Sequence, residues 1–252
     1  MAQVHQIQTL QQSCEDCPIR NRAVCSYSTR DELAELNAAK FYRDYRAGSE
    51  IVGESELMSS LGSIVTGVVA LQKTLEDGRR QMVGLLFPSD FIGRPLRSQA
   101  PYEAVAVTDV RMCMFQRQKF EQILRENVSL ERRLLEITLD ELDAARDWML
   151  LLGRKTAREK IASFLMILAR RARSSDGGSL SNGSRIQIPL SREAIAEYIG
   201  LTIETVSRQI SGLRKDGLID LPDKRSVVIR HIDHLRALAG EEVHDYQDSA
   251  SF

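Results

Sequence analysis

Three cysteines crowd the start of the chain. Cys14, Cys17 and Cys25 stand as C-x2-C-x7-C within CEDCPIRNRAVC, and the one remaining cysteine, Cys113, lies far along the sequence. Thiols this close together, in a chain expected to be cytoplasmic, read as metal ligands rather than as a disulfide pair. Few large apolar residues lie between them, so the segment would not fold alone and a metal would organise it. Four thiolates suit either zinc or an iron-sulfur cluster. Spacing by itself leaves both open.

The second chemically loaded stretch runs from Ser191 to Leu213, SREAIAEYIGLTIETVSRQISGL. It reads as two short helices broken at Gly200. Ala194, Ile195 and Ile199 make one apolar face, while Ile203, Val206, Ile210 and Leu213 recur at three- and four-residue steps, so the helices pack on each other. Thr202 stands where its hydroxyl can accept from a free amide of the second helix's first turn, which makes it the expected N-cap. With the apolar stripe turned inward, Glu204, Ser207 and Arg208 share the opposite face of the first two turns. In a helix-turn-helix that end enters the major groove. There Arg pairs with guanine O6/N7, Glu accepts from cytosine N4, and Ser serves several edges. A plain surface ion pair between Glu204 and Arg208 is the competing reading. Small Ala196, Gly200 in the turn and Val206 at the offsets of the motif favour base contact.

The string LTIETVSRQISGL resembles the FNR branch of the CRP/FNR family of bacterial transcription regulators, and the resemblance extends over about residues 14 to 240. It implies that Glu204, Ser207 and Arg208, which match an E-x-x-S-R run, read a palindromic operator with TTGAT-type half-sites. It also implies an oxygen-labile [4Fe-4S] cluster, one per subunit, held by Cys14, Cys17, Cys25 and Cys113. The x7 gap is wider than the five residues of the enterobacterial pattern. A zinc-stapled regulator of the same family, answering another signal, is the alternative. An iron-sulfur enzyme is disfavoured: the sequence has no Gly-rich nucleotide loop, no His-carboxylate constellation and no catalytic motif.

The elements that must position these residues can be read from the rest of the chain. At 252 residues there is room for two domains with ordinary cores. Hydrophobic and charged contents of 43% and 27% are those of a soluble globular protein. The opening MAQVHQIQTLQQS has no basic then apolar run, and no stretch of ~18 apolar residues occurs, so neither a signal peptide nor a spanning helix is expected. The net charge of -1 hides an asymmetry. From 154 to 240 there are 16 Lys and Arg against 9 Asp and Glu, whereas the remainder is acidic. A basic C-terminal third suits attraction to phosphates.

The expected fold is α+β: an N-terminal antiparallel β-roll of the cyclic-nucleotide-binding kind, a long dimerisation helix and a C-terminal winged helix-turn-helix. The expected boundaries are 1–30 for the cysteine segment, 31–116 for the roll, 117–152 for the helix, 153–240 for the DNA-binding domain and 241–252 for a polar tail. Thr29 to Glu32 has the form of a capping box and opens a short helix. Seven of the 15 glycines fall between Gly48 and Gly93 and separate short apolar runs, the texture of many small strands. Asp77-Gly78 marks a hairpin turn, and a last hairpin across Thr108-Asp109 is expected to carry Cys113.

Where cyclic-nucleotide members of the family bind phosphate with an Arg-Ser pair, this sequence reads Pro101-Tyr102-Glu103-Ala104, so no cyclic nucleotide is expected. None of the four histidines lies in the roll, which weakens a haem reading. A heptad-like row of Leu135, Leu139, Leu142, Ala145 or Arg146, Met149 and Leu152 is the seam for a second copy. Gly153 is the expected hinge and Ser174 to Ser184 a loop. A wing around Pro222 to Lys224 would let Lys224 and Arg225 touch backbone phosphate. The resemblance further implies that the turn at Glu76 to Arg79 touches RNA polymerase.

Overall fold

The computed structural model describes residues 13–176 and 180–241; the expected polar tail beyond 241 and part of the expected loop after Ser174 lie outside them. The N-terminal half is two four-stranded antiparallel sheets facing each other. One has the order β1 (Lys40–Tyr45), β8 (Val110–Gln116), β3 (Ser60–Thr66), β6 (Phe91–Ile92); the other β2 (Glu50–Val52), β7 (Glu103–Ala106), β4 (Val69–Thr74), β5 (Arg80–Leu86). Because side chains alternate across a strand, each sheet faces two ways. Ile64, Met112 and Met114 of the first sheet meet Val69, Leu71, Ala104 and Ala106 of the second in the core between them. Leu61, Val65, Cys113 and Phe115 point to the outer side, and there they too are covered. That double covering is why β8 reads VRMCMF, an almost unbroken apolar run rather than an alternating one.

Two expectations about turns are corrected. β7 and β8 are not a hairpin: β7 pairs with β2 and β4, while β8 pairs with β1 and β3, so Thr108-Asp109 carries the chain from one sheet to the other. The turn at Glu76 to Arg79 does join β4 to β5, but not as a two-residue primed turn. The Gly78 amide donates to the Leu75 carbonyl and the Leu75 amide to the Arg79 carbonyl, with Gly78 at φ +83°. This is the three-residue loop closed by a glycine bulge.

The capping box is present. Thr29 accepts from the Glu32 amide, the Glu32 carboxylate accepts from the Thr29 amide, and α1 follows over Arg30–Ala39. The long helical pattern is split at Asn127 into α2 (Arg117–Glu126) and α3 (Val128–Arg154). Buried Asn127 donates its side-chain amide to the Ile123 carbonyl at 2.7 Å, ending α2, and adopts an extended backbone before α3. The region 117–152 is therefore two helices. α2 packs Phe120, Ile123 and Leu124 on the roll, and only α3 is free to serve as a seam.

Gly153 is not the hinge, because α3 continues through it to Arg154 and the extended residue is Lys155. Thr156 and Glu159 exchange hydrogen bonds at the start of α4 (Ala157–Asp176). That helix runs past Ser174, into the stretch expected to be loop. Beyond it come β9 (Arg185–Gln187), α5 (Arg192–Ile199), α6 (Ile203–Lys215), β10 (Ile219–Asp220), β11 (Ser226–Ile229) and α7 (Ile232–Ala239). β9, β10 and β11 form one small antiparallel sheet.

The roll and the C-terminal domain share a core. Val68, Ala70, Met82, Leu85 and Phe87, on the outer side of the second sheet, belong to the same buried cluster as Phe164, Leu165, Ile195, Tyr198 and Val206. Polar contacts reinforce it: Gln81 donates to the Glu197 carbonyl at 2.9 Å, and Arg171 pairs with Asp90 at 2.8 Å while lying over the Phe87 ring.

Candidate metal centre and nucleic-acid interface

The cysteine segment folds as a run of turns against the outer side of the first sheet. Its local geometry is set by Arg20, whose guanidinium donates to the carbonyls of Cys25, Ser26 and Ser28 at 2.6, 2.8 and 3.0 Å. One cation thus gathers three carbonyls that the turns leave without helical or strand partners. The Cys14 amide donates to Asn37 on α1 at 3.1 Å, and Lys40 Nζ stands 3.4 Å from Cys14 Sγ. Ile19, Ala23 and Val24 are buried, together with Leu36, Leu61, Phe115, Phe120 and Leu130. Cys17, Cys25 and Cys113 pack in that same cluster.

All four sequence-predicted thiols are brought into one another's electrostatic reach. Burial pushes the Cys113 thiol up to about 12, and the charges of Cys14, Cys17 and Cys25 push it the same way. Cys25 is raised to about 11, again by burial first, with Cys14 and Cys17 adding to it. Cys17 is raised by burial, and Tyr42, directly opposite Cys113 in the sheet, goes to about 12 by burial and then by the thiols. Cys17, Cys25 and Cys113, raised in this way, stay protonated unless a cation draws off their protons. Among the described residues no three His, Cys, Asp or Glu side chains converge on one point as ligands of a single ion.

The cysteine segment also touches α3. Arg133 on α3 donates to the Arg22 carbonyl at 2.9 Å and lies 5.5 Å from the Tyr27 ring centre. Leu130, Leu134 and Ile137 point from α3 into the core that holds the thiols. The sequence reading missed Arg20 and Arg133. Both are surface-type residues whose roles depend on carbonyls that only the folded turns bring together.

At the other end of the molecule, α5 and α6 form the expected helix pair. Ser191 caps α5 by accepting from the Ala194 amide, and Gly200 ends it in the left-handed region at φ +63°. Thr202 caps α6 as expected, accepting from the Thr205 amide at 3.3 Å. Val206, Ile210 and Leu213 are buried, and Glu204, Ser207 and Arg208 are exposed together on the opposite face. Hydrogen bonds from its own amide and from the Thr202 hydroxyl hold the Glu204 carboxyl below its usual range, so it is an ionised acceptor at neutral pH. Arg208 reaches back to Thr205 Oγ1 at 3.3 Å rather than to Glu204. The simple ion pair is not formed.

Ile203 departs from expectation. It opens α6 outside the inward stripe and is 43% exposed, because at the first helical position it precedes the turn that packs on α5. The wing lies where expected, between β10 and β11, with Lys224 and Arg225 exposed at its tip. Asp223 fixes that tip, accepting from the Arg225 amide, the Ser226 hydroxyl and Arg185. β9, its third strand, went unpredicted although Ile186 and Ile188 alternate with polar residues.

Comparison with known proteins agrees with this architecture. The profile of the cyclic nucleotide-binding domain matches residues 42–127, and that of the Crp-like helix-turn-helix domain matches residues 159–238. The transcriptional activator protein FnrL of Cereibacter sphaeroides is 50% identical over 239 residues, covering 95% of this chain and 96% of that protein. The chain belongs to the CRP/FNR family. The nitrogen fixation regulation protein FixK of Bradyrhizobium diazoefficiens, another relative, is 39% identical over 206 residues, 82% of this chain and 85% of its own. Among solved structures, FixK2 from Bradyrhizobium japonicum superposes with a TM-score of 0.72 at 35% identity, covering 81% of this chain and 98% of that one. This CRP/FNR member is therefore a DNA-binding transcriptional activator of the FNR/FixK type, and not an enzyme. No helix among the described residues is long and apolar enough to cross a membrane.

Proposed function

We propose that this regulator answers oxygen in the control of anaerobic gene expression: it binds a palindromic TTGAT-type operator as a homodimer while Cys14, Cys17, Cys25 and Cys113 hold one [4Fe-4S] cluster per subunit. The observation that carries the reading is the gathering of Cys17, Cys25 and Cys113 in the core that also receives the first turns of α3, with Cys14 within electrostatic reach of all three. A bound cluster supplies an oxygen-labile centre. Everything else falls to the chain. The thiolates tie the turns of residues 14–25 to β8, Arg133 and Leu134 couple those turns to α3, and the exposed row of α3 meets the partner.

The deciding experiment is anaerobic purification with a count of iron, acid-labile sulfide and zinc, followed by operator binding before and after air. About four irons and four sulfides per chain are expected, with binding lost on aeration. One zinc per chain, no sulfide and no effect of air would establish the zinc-stapled regulator instead.

Base reading and phosphate anchoring separate in a second experiment. Arg208 can aim its fork at one guanine, whereas Arg225 on the wing meets only backbone. Arg208→Ala should lose about 1 to 3 kcal/mol and relax preference at one base pair, while Arg225→Ala should weaken all sequences alike and lower the salt slope by about one unit. Competition binding against operators varied at the half-site guanine checks both; an unchanged operator ranking for Arg208→Ala removes the docking assumed for Glu204 and Ser207 as well.

RNA polymerase is the remaining proposed partner, at the turn of Glu76 to Arg79. These residues are all exposed, with open space around Gly78. Glu76→Lys should lower transcript yield in a purified system at least severalfold with operator affinity unchanged, and equal yields would make the turn a connector.

A further inference from the structure

A buried hydroxyl stands beside the thiol that the roll contributes. Ser63 of β3 is the register partner of Cys113 on β8, and across the first sheet they form one row with Tyr42 of β1 and Phe91 of β6. Residues directly opposite in antiparallel strands carry their side chains on the same side, with Cβ atoms about 4.5 to 5.5 Å apart. Tyr42, Cys113 and Phe91 of that row all pack in the core that holds the cysteine turns, as do Leu61 and Val65, which flank Ser63 along its strand. Ser63 is therefore aimed at the same place. It is 3% exposed, and its Oγ has no hydrogen-bond partner.

A hydroxyl that is out of water and unpaired destabilises the fold by the full cost of its desolvation. An apolar residue would fill this strand position without that cost, as Leu61 and Val65 do on either side. The position makes sense if something outside the polypeptide accepts the proton. The residue opposite Ser63 is a cysteine, and hydrogen bonds to thiolate or sulfide sulfur are one of the means by which a protein sets the potential and lability of an iron-sulfur cluster.

We propose that Ser63 donates a hydrogen bond to the Cys113 thiolate or to an adjacent sulfide of the cluster and so slows its loss in oxygen. This rests on the cluster reading given above. Donation to an electron-rich sulfur stabilises the more negative state, and its removal makes electron loss easier. Ser63 is a tuning residue and not a ligand, so the cluster should assemble without it.

The test uses the full chain, purified anaerobically as wild type, Ser63→Ala and Ser63→Thr, with iron and sulfide counted before a timed exposure to air followed by visible absorbance. All three should carry the same iron and sulfide. Ser63→Ala should lose its absorbance several times faster than wild type, and Ser63→Thr, which keeps the hydroxyl, should decay at close to the wild-type rate. Equal decay of loaded Ser63→Ala and wild type overturns the proposal, as does a loaded Ser63→Thr that decays as fast as the alanine variant, since bulk rather than the hydroxyl would then govern. A wild-type protein without iron and sulfide is a different failure. It removes the cluster itself, and with it the acceptor.

Discussion

Cys113→Ser protein prepared without oxygen is expected to be colourless, free of iron and sulfide, and reduced to non-specific DNA binding. Three of the four thiols sit on one run of turns, and Cys113 is the only one contributed by the sheet. Losing it removes the bond between those turns and the sheet. Serine is a harder and far less acidic donor than a thiolate, so it does not replace the sulfur. The roll itself should survive, for β8 is held along both edges by β1 and β3, and one unpaired hydroxyl costs about 1 to 3 kcal/mol. A specific operator is typically bound at least ~10³ more tightly than other DNA, and most of that margin should disappear if the segment 14–25 no longer braces α3 through Arg133. Iron and sulfide assays with operator titration read the outcome. Full iron in the variant would remove Cys113 from the ligand set and leave the coupling of roll to cysteine segment without its central bond.

How much of this was legible in the sequence depends on how local the cause is. The caps were readable because a hydroxyl and an amide three residues apart settle them: Thr29, Thr202 and the Gly200 turn all stand as expected. The face of α6 was readable because 3.6-residue periodicity divides Val206 and Ile210 from Glu204 and Ser207. Long-range pairing was not. Thr108-Asp109 looks like a hairpin turn, yet the partners of β7 and β8 are chosen by which sheet buries which face, and that is decided by residues dozens of positions away. The break at Asn127 was hidden for a similar reason: the apolar spacing runs through it, and only the buried side chain bonding back to Ile123 reveals the end of α2. Ile203 was misjudged because its spacing matches the inward stripe, while its position at the helix start leaves it outside the packed turn. Cys113 and Ser63 sit opposite each other through register alone, and register appears in a sequence only when the strands are already paired.

Leu142→Glu is expected to leave a folded monomer. α3 uses one side for its own chain: Leu130, Leu134 and Ile137 enter the core below the cysteine turns, and Trp148 stacks on Tyr198 of α5 with ring centres 3.9 Å apart. Leu152, expected in the seam, also turns inward to the C-terminal domain. What remains is a row of apolar side chains facing solvent, with Leu135 59%, Leu139 52%, Leu142 46% and Met149 70% exposed. Their steps of four, three and seven are those of a two-stranded seam. Arg146 falls at the seam position between Leu142 and Met149, and its pairing with Asp143 at 2.8 Å keeps its charge partly met at the edge of the stripe. In a dimer two copies of Leu142 face each other at the centre of the row. Glutamate there forfeits the leucine burial, up to about 1.5 to 3 kcal/mol per fully buried side chain, and brings two carboxylates together out of water, at several kcal/mol more. A total near 4 kcal/mol already raises the dimer dissociation constant roughly a thousandfold. Within one chain the position is half open, so thermal stability should hardly change, and this distinguishes loss of the partner from loss of the fold. Sedimentation under anaerobic conditions should give the mass of one chain, with iron retained. An undisturbed dimer would show that the second copy binds through some other surface, and the exposed leucines of α3 would then need another occupant.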